Sequence, residues 1–443
     1  MNRSTRHFYR AFLLGCFAMA TVCLGAPSID AIKYDARIEP DLATKTLSGR
    51  VTVEFRSLTA GQAQIEFNDG DLIIDEVQDR HSRPLTFVQD GKVLRINLAR
   101  KLSMNQTDRV TIAFHGTAKY GMQFYPAEKQ VYTAFSTSQW MPCLDAPSDR
   151  TQFKLAVVVR SGLKVVGNGT NTETRQLPDG KVLSVWEQKV PVPTYIFGFA
   201  AGDFREVTLT HRGVMLRFLV PPGFTADQTG KIFRDTADEL DFFEERSGVK
   251  YPYRTYTQVL AAGGTQQEMA GFTVLDEPYG RGVLADEREN WLGAHEFAHQ
   301  WWGNQVTNVD WTHFWLNEGL ATFMVAAYKE HRFGRDEYLK EVGKFRTRYE
   351  KVRDAGKDKP LVFPDWDHPT REDRTIVYQK GALVLYLLRE EMGDRAFWTG
   401  LKAYTRAFWG KSVTTVDFQR ALEKAAKRNL QVFFDKWVYG RAI

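Results

Sequence analysis

Two histidines four residues apart, His295 and His299, stand in the stretch Gly293-Ala294-His295-Glu296-Phe297-Ala298-His299-Gln300-Trp301-Trp302-Gly303. On a helix that spacing puts both imidazoles on one face, one turn apart, where two neutral rings can grip one Zn²⁺. A catalytic zinc takes three protein ligands and keeps a fourth position for water, so a third ligand must come from elsewhere. Glu318, within Trp315-Leu316-Asn317-Glu318-Gly319-Leu320-Ala321, is well placed for it. Residues 300–317 are long enough to end one helix, turn and open a second. Glu296 lies about 100° around the helix from His295, which rules out comfortable ligation but leaves the zinc's water within reach. It is the candidate general base, passing the proton on to the leaving amine.

These side chains need two helices to hold them, and neither segment contains proline. Past Pro221-Pro222-Gly223 the periodicity turns helical, with Ile232, Phe233, Leu240 and Phe243 on one side of residues 226–246 and Asp, Glu and Arg on the other. Short strands are predicted at 258–261 and 272–275, and further helices at 375–392, 394–404 and 415–427. Residues from about 30 to 220 read as all-β. Val51, Val53, Phe55 and Val110, Ile112, Phe114 alternate with polar residues at period 2, while 153–159 and 195–200 are more continuously apolar. Turn clusters such as Asn68-Asp69-Gly70 and Gly167-Asn168-Gly169 punctuate them. The expected architecture is α+β, with a β-domain over 27–221 and a mostly helical catalytic domain over 222–443.

His295 to Asn304 together with Trp315 to Ala321 resemble the zinc signature of the aminopeptidase N-type metallopeptidases, gluzincins that also include the leukotriene-epoxide hydrolase. The resemblance implies a saddle-like amino-terminal β-domain and a thermolysin-like catalytic domain holding one Zn²⁺ per chain. It extends to other segments. Gln139, in Gln139-Trp140-Met141-Pro142-Cys143-Leu144-Asp145, matches a residue at the lip of the family's cleft and would face the substrate. Tyr195 to Phe204 is similar to the end of the family's sheet domain. Tyr378, in Val377-Tyr378-Gln379-Lys380-Gly381, resembles the tyrosine that stabilises the oxyanion formed on the peptide carbonyl. Among 17 tyrosines, only the resemblance distinguishes it from a packing residue.

Glu268, in Gly263-Gly264-Thr265-Gln266-Gln267-Glu268-Met269-Ala270-Gly271, occupies the place of the family's Gly-x-Met-Glu-Asn exopeptidase motif. It would anchor the substrate's free α-ammonium. Glu268 and Gly271 agree with the motif, while Thr265 stands for Gly, Gln267 for Met and Met269 for Asn. The chain ends soon after Phe433-Phe434-Asp435-Lys436-Trp437, which is similar to the close of the family's catalytic domain. No carboxy-terminal helical domain is therefore expected, and the cleft is expected to be more open.

Arg3, Arg6 and Arg10 precede the apolar stretch Ala11–Gly25, which falls short of the ~20 residues a membrane helix needs. Residues 1–26 read as a signal peptide and imply export to a periplasm or the exterior, with no membrane span in the mature chain. Cys16 and Cys23 fall inside that segment, which leaves Cys143 of the 3 cysteines and no intrachain disulfide. The formal charge of +5 drops to about +2 without the three arginines, and no five-residue basic run occurs; nucleic acid is not an expected partner. The expected function is a zinc aminopeptidase acting on peptides with a free amino terminus. Its rivals are a zinc endopeptidase or other hydrolase that has lost free-amine selection, motivated by the altered residues around Glu268, and a non-catalytic binding protein retaining the fold.

Overall fold

The computed structural model describes residues 28–366 and 368–441; the predicted signal peptide and its two cysteines lie outside the described residues. Period-2 alternation builds the amino-terminal half. Tyr34, Ala36 and Ile38 in strand Ile29–Asp41, Val51, Val53 and Phe55 in Thr46–Ser57, and Val110, Ile112 and Phe114 in Thr107–Gly116 all turn into one apolar core. They belong to a seven-stranded sheet that is antiparallel except where Ile29–Asp41 runs parallel to Arg150–Arg160. A three-stranded sheet (Gln62–Asn68, Val93–Leu102, Phe87–Asp90) and a four-stranded sheet (Lys164–Gly167, Phe199–Gly202, Gln130–Thr133, Met122–Tyr125) complete the β-domain. Cys143 is buried and free.

The expected division at 221/222 cuts through a sheet. Strands Arg205–His211 and Val214–Val220 pair with Thr255–Ala261 and Phe272–Asp276 in a four-stranded sheet of the second half. Leu216, Phe218 and Val220 pack into the helical core. The last two strands ahead of Pro221-Pro222-Gly223 thus share a sheet with two strands that follow it. Strand periodicity carries no label for the sheet a strand will join.

The predicted helix over 226–246 is two helices, Ala226–Ile232 and Thr236–Ser247, with Ile232, Phe233, Leu240 and Phe243 all buried. The expected 375–392 helix is Arg371–Thr375, a π-turn at Ile376–Lys380, then Gly381–Met392. Asp394–Phe408 and Thr415–Ala426 match the last two predicted helices closely. Sequence periodicity missed Arg335–Asp354, a highly charged helix that buries only a narrow stripe including Tyr338, Val342, Phe345 and Tyr349. Among the described residues no helix is long and apolar enough to cross a membrane.

Asp149, at the edge of the β-domain core, accepts one hydrogen bond from the Ala31 N–H at 3.4 Å, while its other oxygen is buried without a partner. Burial, reinforced by Asp30, pushes its carboxyl up to about 8. Unfolded, it titrates near ~3.9. Ionisation therefore opposes folding increasingly from about pH 4 up to pH 8. Asp149→Asn should raise the melting temperature at pH 8 and lose that advantage at pH 4, measured by thermal unfolding across the series.

Candidate metal centre and active site

The helix Trp291–Ala298 is buried throughout its last six residues, and His299 at its end keeps near-helical dihedrals. The i, i+4 geometry survives, with the imidazole planes of His295 and His299 nearly perpendicular and their centroids 4.7 Å apart. A short strand, Val306–Asn308, and a 3₁₀ turn, Trp311–His313, then lead into the helix Trp315–Phe333, whose first turn carries Glu318. The Nε2 atoms of the two histidines are 3.1 Å apart, and Glu318 Oε2 lies 3.3 Å from one and 3.4 Å from the other. Ligands at about 2.0–2.2 Å and tetrahedral angles sit about 3.3–3.6 Å from one another, so this triangle has the size of one face of a zinc tetrahedron.

Two further observations fit a metal. Glu318 Oε2 is buried with no hydrogen-bond partner. His299 Nδ1 lies 3.0 Å from the Trp302 carbonyl, which can only accept; Nδ1 therefore carries the proton and Nε2 presents its lone pair to the centre of the triangle. The three form the one cluster of metal-binding geometry among the described residues.

Two more carboxylates share the cavity. Glu296 is buried beside Glu268, His299 and Glu318, and burial drives its carboxyl well above the ordinary range, with Glu268 adding to the effect. Burial likewise raises Glu268, although the nearby His299 opposes it. Burial lifts Glu318 too, but the His299 and His295 imidazoles outweigh it and bring it down to about 2. Tyr378, in the π-turn, lays its ring over His295 at 5.8 Å and 20°, and burial together with Glu318 holds its hydroxyl protonated, able to donate.

The helix carrying Tyr378 reaches this position through a close crossing. A Cβ on Gly381 would stand 3.0 Å from Gly319 Cα, and one on Gly319 would stand 3.1 Å from Gly381 Cα. Gly319 follows Glu318 directly, so the contact sets the separation of Tyr378 from the metal ligand. Lys380 fixes the same turn from its far side, bonding Asp358 Oδ1 at 2.7 Å.

Gln139 stands on the short 3₁₀ turn Thr137–Gln139 of the β-domain, its side chain against Gly70 and Gly121 and its Oε1 buried without a partner. Among the described residues no recorded contact joins it to the metal cluster. Sequence reasoning overlooked several polar residues that hold the site. Gln300 accepts from the Gly271 N–H at 2.9 Å and donates to the Met269 carbonyl at 3.0 Å. Asn304 donates to the Glu268 carbonyl at 2.8 Å. Tyr195 of the β-domain donates to the Gly303 carbonyl at 3.0 Å and accepts from Asn317 at 3.1 Å. The signal was present: a glutamine and an asparagine flanking Trp301-Trp302 in a stretch dense in apolar residues must find partners once buried.

Comparison with known proteins agrees with this geometry. The Peptidase M1 N-terminal domain description matches residues 30–196, and the Peptidase family M1 domain description matches 233–437. The chain belongs to the M1 peptidase family. It is 28% identical over 438 residues to leucine aminopeptidase 2 of Aspergillus clavatus, covering 89% of this chain and 68% of that protein. Against aminopeptidase M1-A of rice it is 27% identical over 441 residues, covering 91% of this chain but 49%, about half, of the relative. The crystal structure of an M1 zinc metallopeptidase from Deinococcus radiodurans superposes with a TM-score of 0.79 at 25% identity, over 94% of this chain and 95% of that one. A variant of the same protein bound to a Tyr-Ser-Ala substrate gives 0.80 over the same shares of the two chains.

In this M1 peptidase, Gly381→Ala should push the two helices apart by a few tenths of an ångström. The expected result is one zinc per chain retained by metal analysis, with kcat lowered about tenfold as Tyr378 loses its aim.

Proposed function

We propose that the protein is an exported zinc aminopeptidase that releases the first residue of short peptides. One observation carries the reading: a buried carboxylate, Glu268, shares the cavity with a metal triangle and with a second buried carboxylate, Glu296. His295, His299 and Glu318 would hold a zinc ion, which would supply Lewis acidity towards the scissile carbonyl and lower the pKa of water towards ~7. Burial and the adjoining Glu268 give Glu296 a high proton affinity, which suits it to take the proton of the attacking water and deliver it to the departing amine. Tyr378, kept protonated, donates to the oxygen on which charge develops.

Glu268 accepts from the substrate's α-ammonium, an ion that would be costly to bury without such a partner. Gln139 Oε1, buried and unpartnered, is offered as a second acceptor from the lip of the β-domain. Of the departures Thr265, Gln267 and Met269 that motivated an endopeptidase reading, Gln267 and Met269 make contacts to the β-domain. Export rests on Arg3, Arg6 and Arg10 ahead of the apolar stretch Ala11–Gly25. Amino-terminal sequencing of protein recovered outside the cytoplasm should begin beyond that stretch; an intact Met1 there would count against cleavage.

The activity is checked on aminoacyl chromogenic amides, each beside its N-acetylated twin, with and without a zinc chelator. Chelator-sensitive cleavage confined to free amines is expected. Equal cleavage of acetylated twins would overturn the role of Glu268, and zinc-loaded protein inert on every substrate would favour a binding protein. Glu296→Gln should keep its zinc and lower kcat by about 10²- to 10⁴-fold.

A further inference from the structure

The segment carrying Glu268 is extended, and its side chains alternate. Glu268 turns to the metal ligands, while Gln267 and Met269 turn the other way, into the junction with the β-domain. Met269 is fully buried against Gly198 in the apolar cluster between the domains. Gln267 is buried as well, and both ends of its amide are used: Oε1 accepts a short hydrogen bond from the Phe135 N–H, and Nε2 donates to the Tyr195 carbonyl at 2.9 Å. Its own backbone pairs in both directions with Val274 of the catalytic sheet, at 3.1 and 3.0 Å. The neighbouring Glu268 carbonyl is held by Asn304.

Phe135 lies in an unusual place. It and Ser136 both have positive φ, 52° and 24°, a conformation that is costly for non-glycine residues and that persists only where surrounding contacts impose it. The turn they form opens directly into Thr137–Gln139. Methionine, the residue of the resembling motif at this position, has no N–H to donate and only a weak thioether acceptor, so it could make neither bond.

We infer that Gln267 is a positioning residue for free-amine recognition: its side-chain amide fastens the β-domain lip, Phe135 to Gln139, to the segment that presents Glu268. The inference rests on the aminopeptidase reading and adds to it. Glu268 is thereby held from two sides, by Gln267 towards the β-domain and by Asn304 towards the metal helix, and the amine subsite is formed before substrate arrives. Three bonds from the β-domain to neighbouring residues are independent of Gln267: Gln130 accepts from the Ala262 N–H, Tyr132 donates to the Ala262 carbonyl, and Asn168 donates to the Ala270 carbonyl. Loss of the Gln267 amide therefore loosens the subsite without opening the junction.

The test compares wild type, Gln267→Met and Gln267→Glu, each loaded with zinc, on a free aminoacyl amide and its N-acetylated twin. The carboxylate of Gln267→Glu can still accept from Phe135 but faces the Tyr195 carbonyl without a donor. Both variants are expected to keep one zinc per chain, to raise KM for the free amine about tenfold with kcat changed less than threefold, and to discriminate less against the acetylated twin. Gln267→Glu serves as the readout should Gln267→Met misfold. Unchanged KM and discrimination in a folded variant would overturn the inference, as would a fall in kcat alone. Wild-type protein that cleaves both twins equally would instead overturn the aminopeptidase reading, so the two failures are distinguishable.

Discussion

Three buried carboxylates and two imidazoles in one cavity form an arrangement that electrostatics alone would disperse. Removing a single carboxylate from water carries a penalty of several kcal/mol, and three of them repel at close range. The conflict shows as divergent proton affinities. Burial pulls His299 down, but Glu318 and Glu268 overcome it and push the imidazole up to about 10. A divalent ion held by His295, His299 and Glu318 would offset this repulsion, and because its ligands must be deprotonated its affinity would depend on pH. The rest of the chain has to keep this cluster together against its own repulsion.

It does so with contacts of two kinds. Around the histidines, aromatic packing fixes the helix: Phe297 stacks on Tyr256 at 4.0 Å, and the Trp301 and Trp302 indoles donate to Val249 and Thr405. Around the carboxylates, buried amides do the work, because the strand that carries Glu268 is flanked by two domains and pairs with neither as a full ladder. Gln300 and Asn304 bind it from the turn after the metal helix, Gln130 and Asn168 reach it from the β-domain, and Gln267 on the segment itself reaches back to the β-domain. Arg150 adds a bridge from the seven-stranded sheet to the turn after the metal helix, through Asn304 O at 3.0 Å and Thr307 Oγ1 at 2.8 Å. Removing any one of these amides would strand a buried polar group on the opposite side, so the junction is specified as well as stabilised.

Much of this was legible from residue spacing. The i, i+4 histidines and the helix-opening Glu318 need only helical geometry, which local sequence encodes. Strands such as Thr46–Ser57 and Thr107–Gly116 announce themselves because one face of each is buried. The sheet that receives Val214–Val220 was not legible, since the strand has the same pattern whichever sheet it joins; parallel pairing with Thr255–Ala261 is a long-range choice. The π-turn at Tyr378 was invisible for another reason. Ile376, Val377 and Lys380 satisfy a helical pattern, and the wider turn arises from the Gly319–Gly381 approach and the Lys380–Asp358 bond, both set by other segments.

The altered exopeptidase segment shows how a motif should be read when it lies on extended chain. Position by position, Gln267 and Met269 look like losses, because two of the residues flanking Glu268 differ from the pattern it resembles. Face by face, they are one change. Both side chains leave the strand on the side away from the metal, one into an apolar cluster and the other into a pair of hydrogen bonds, while the face shared with His299 and Glu318 keeps its carboxylate. The amine-binding role proposed for Glu268 belongs to the first face, and the contacts to the domain junction belong to the second. A period-2 segment can therefore diverge on alternate residues without the chemistry diverging with it, and the residue that departs from a motif can be one that holds the motif's acid in place.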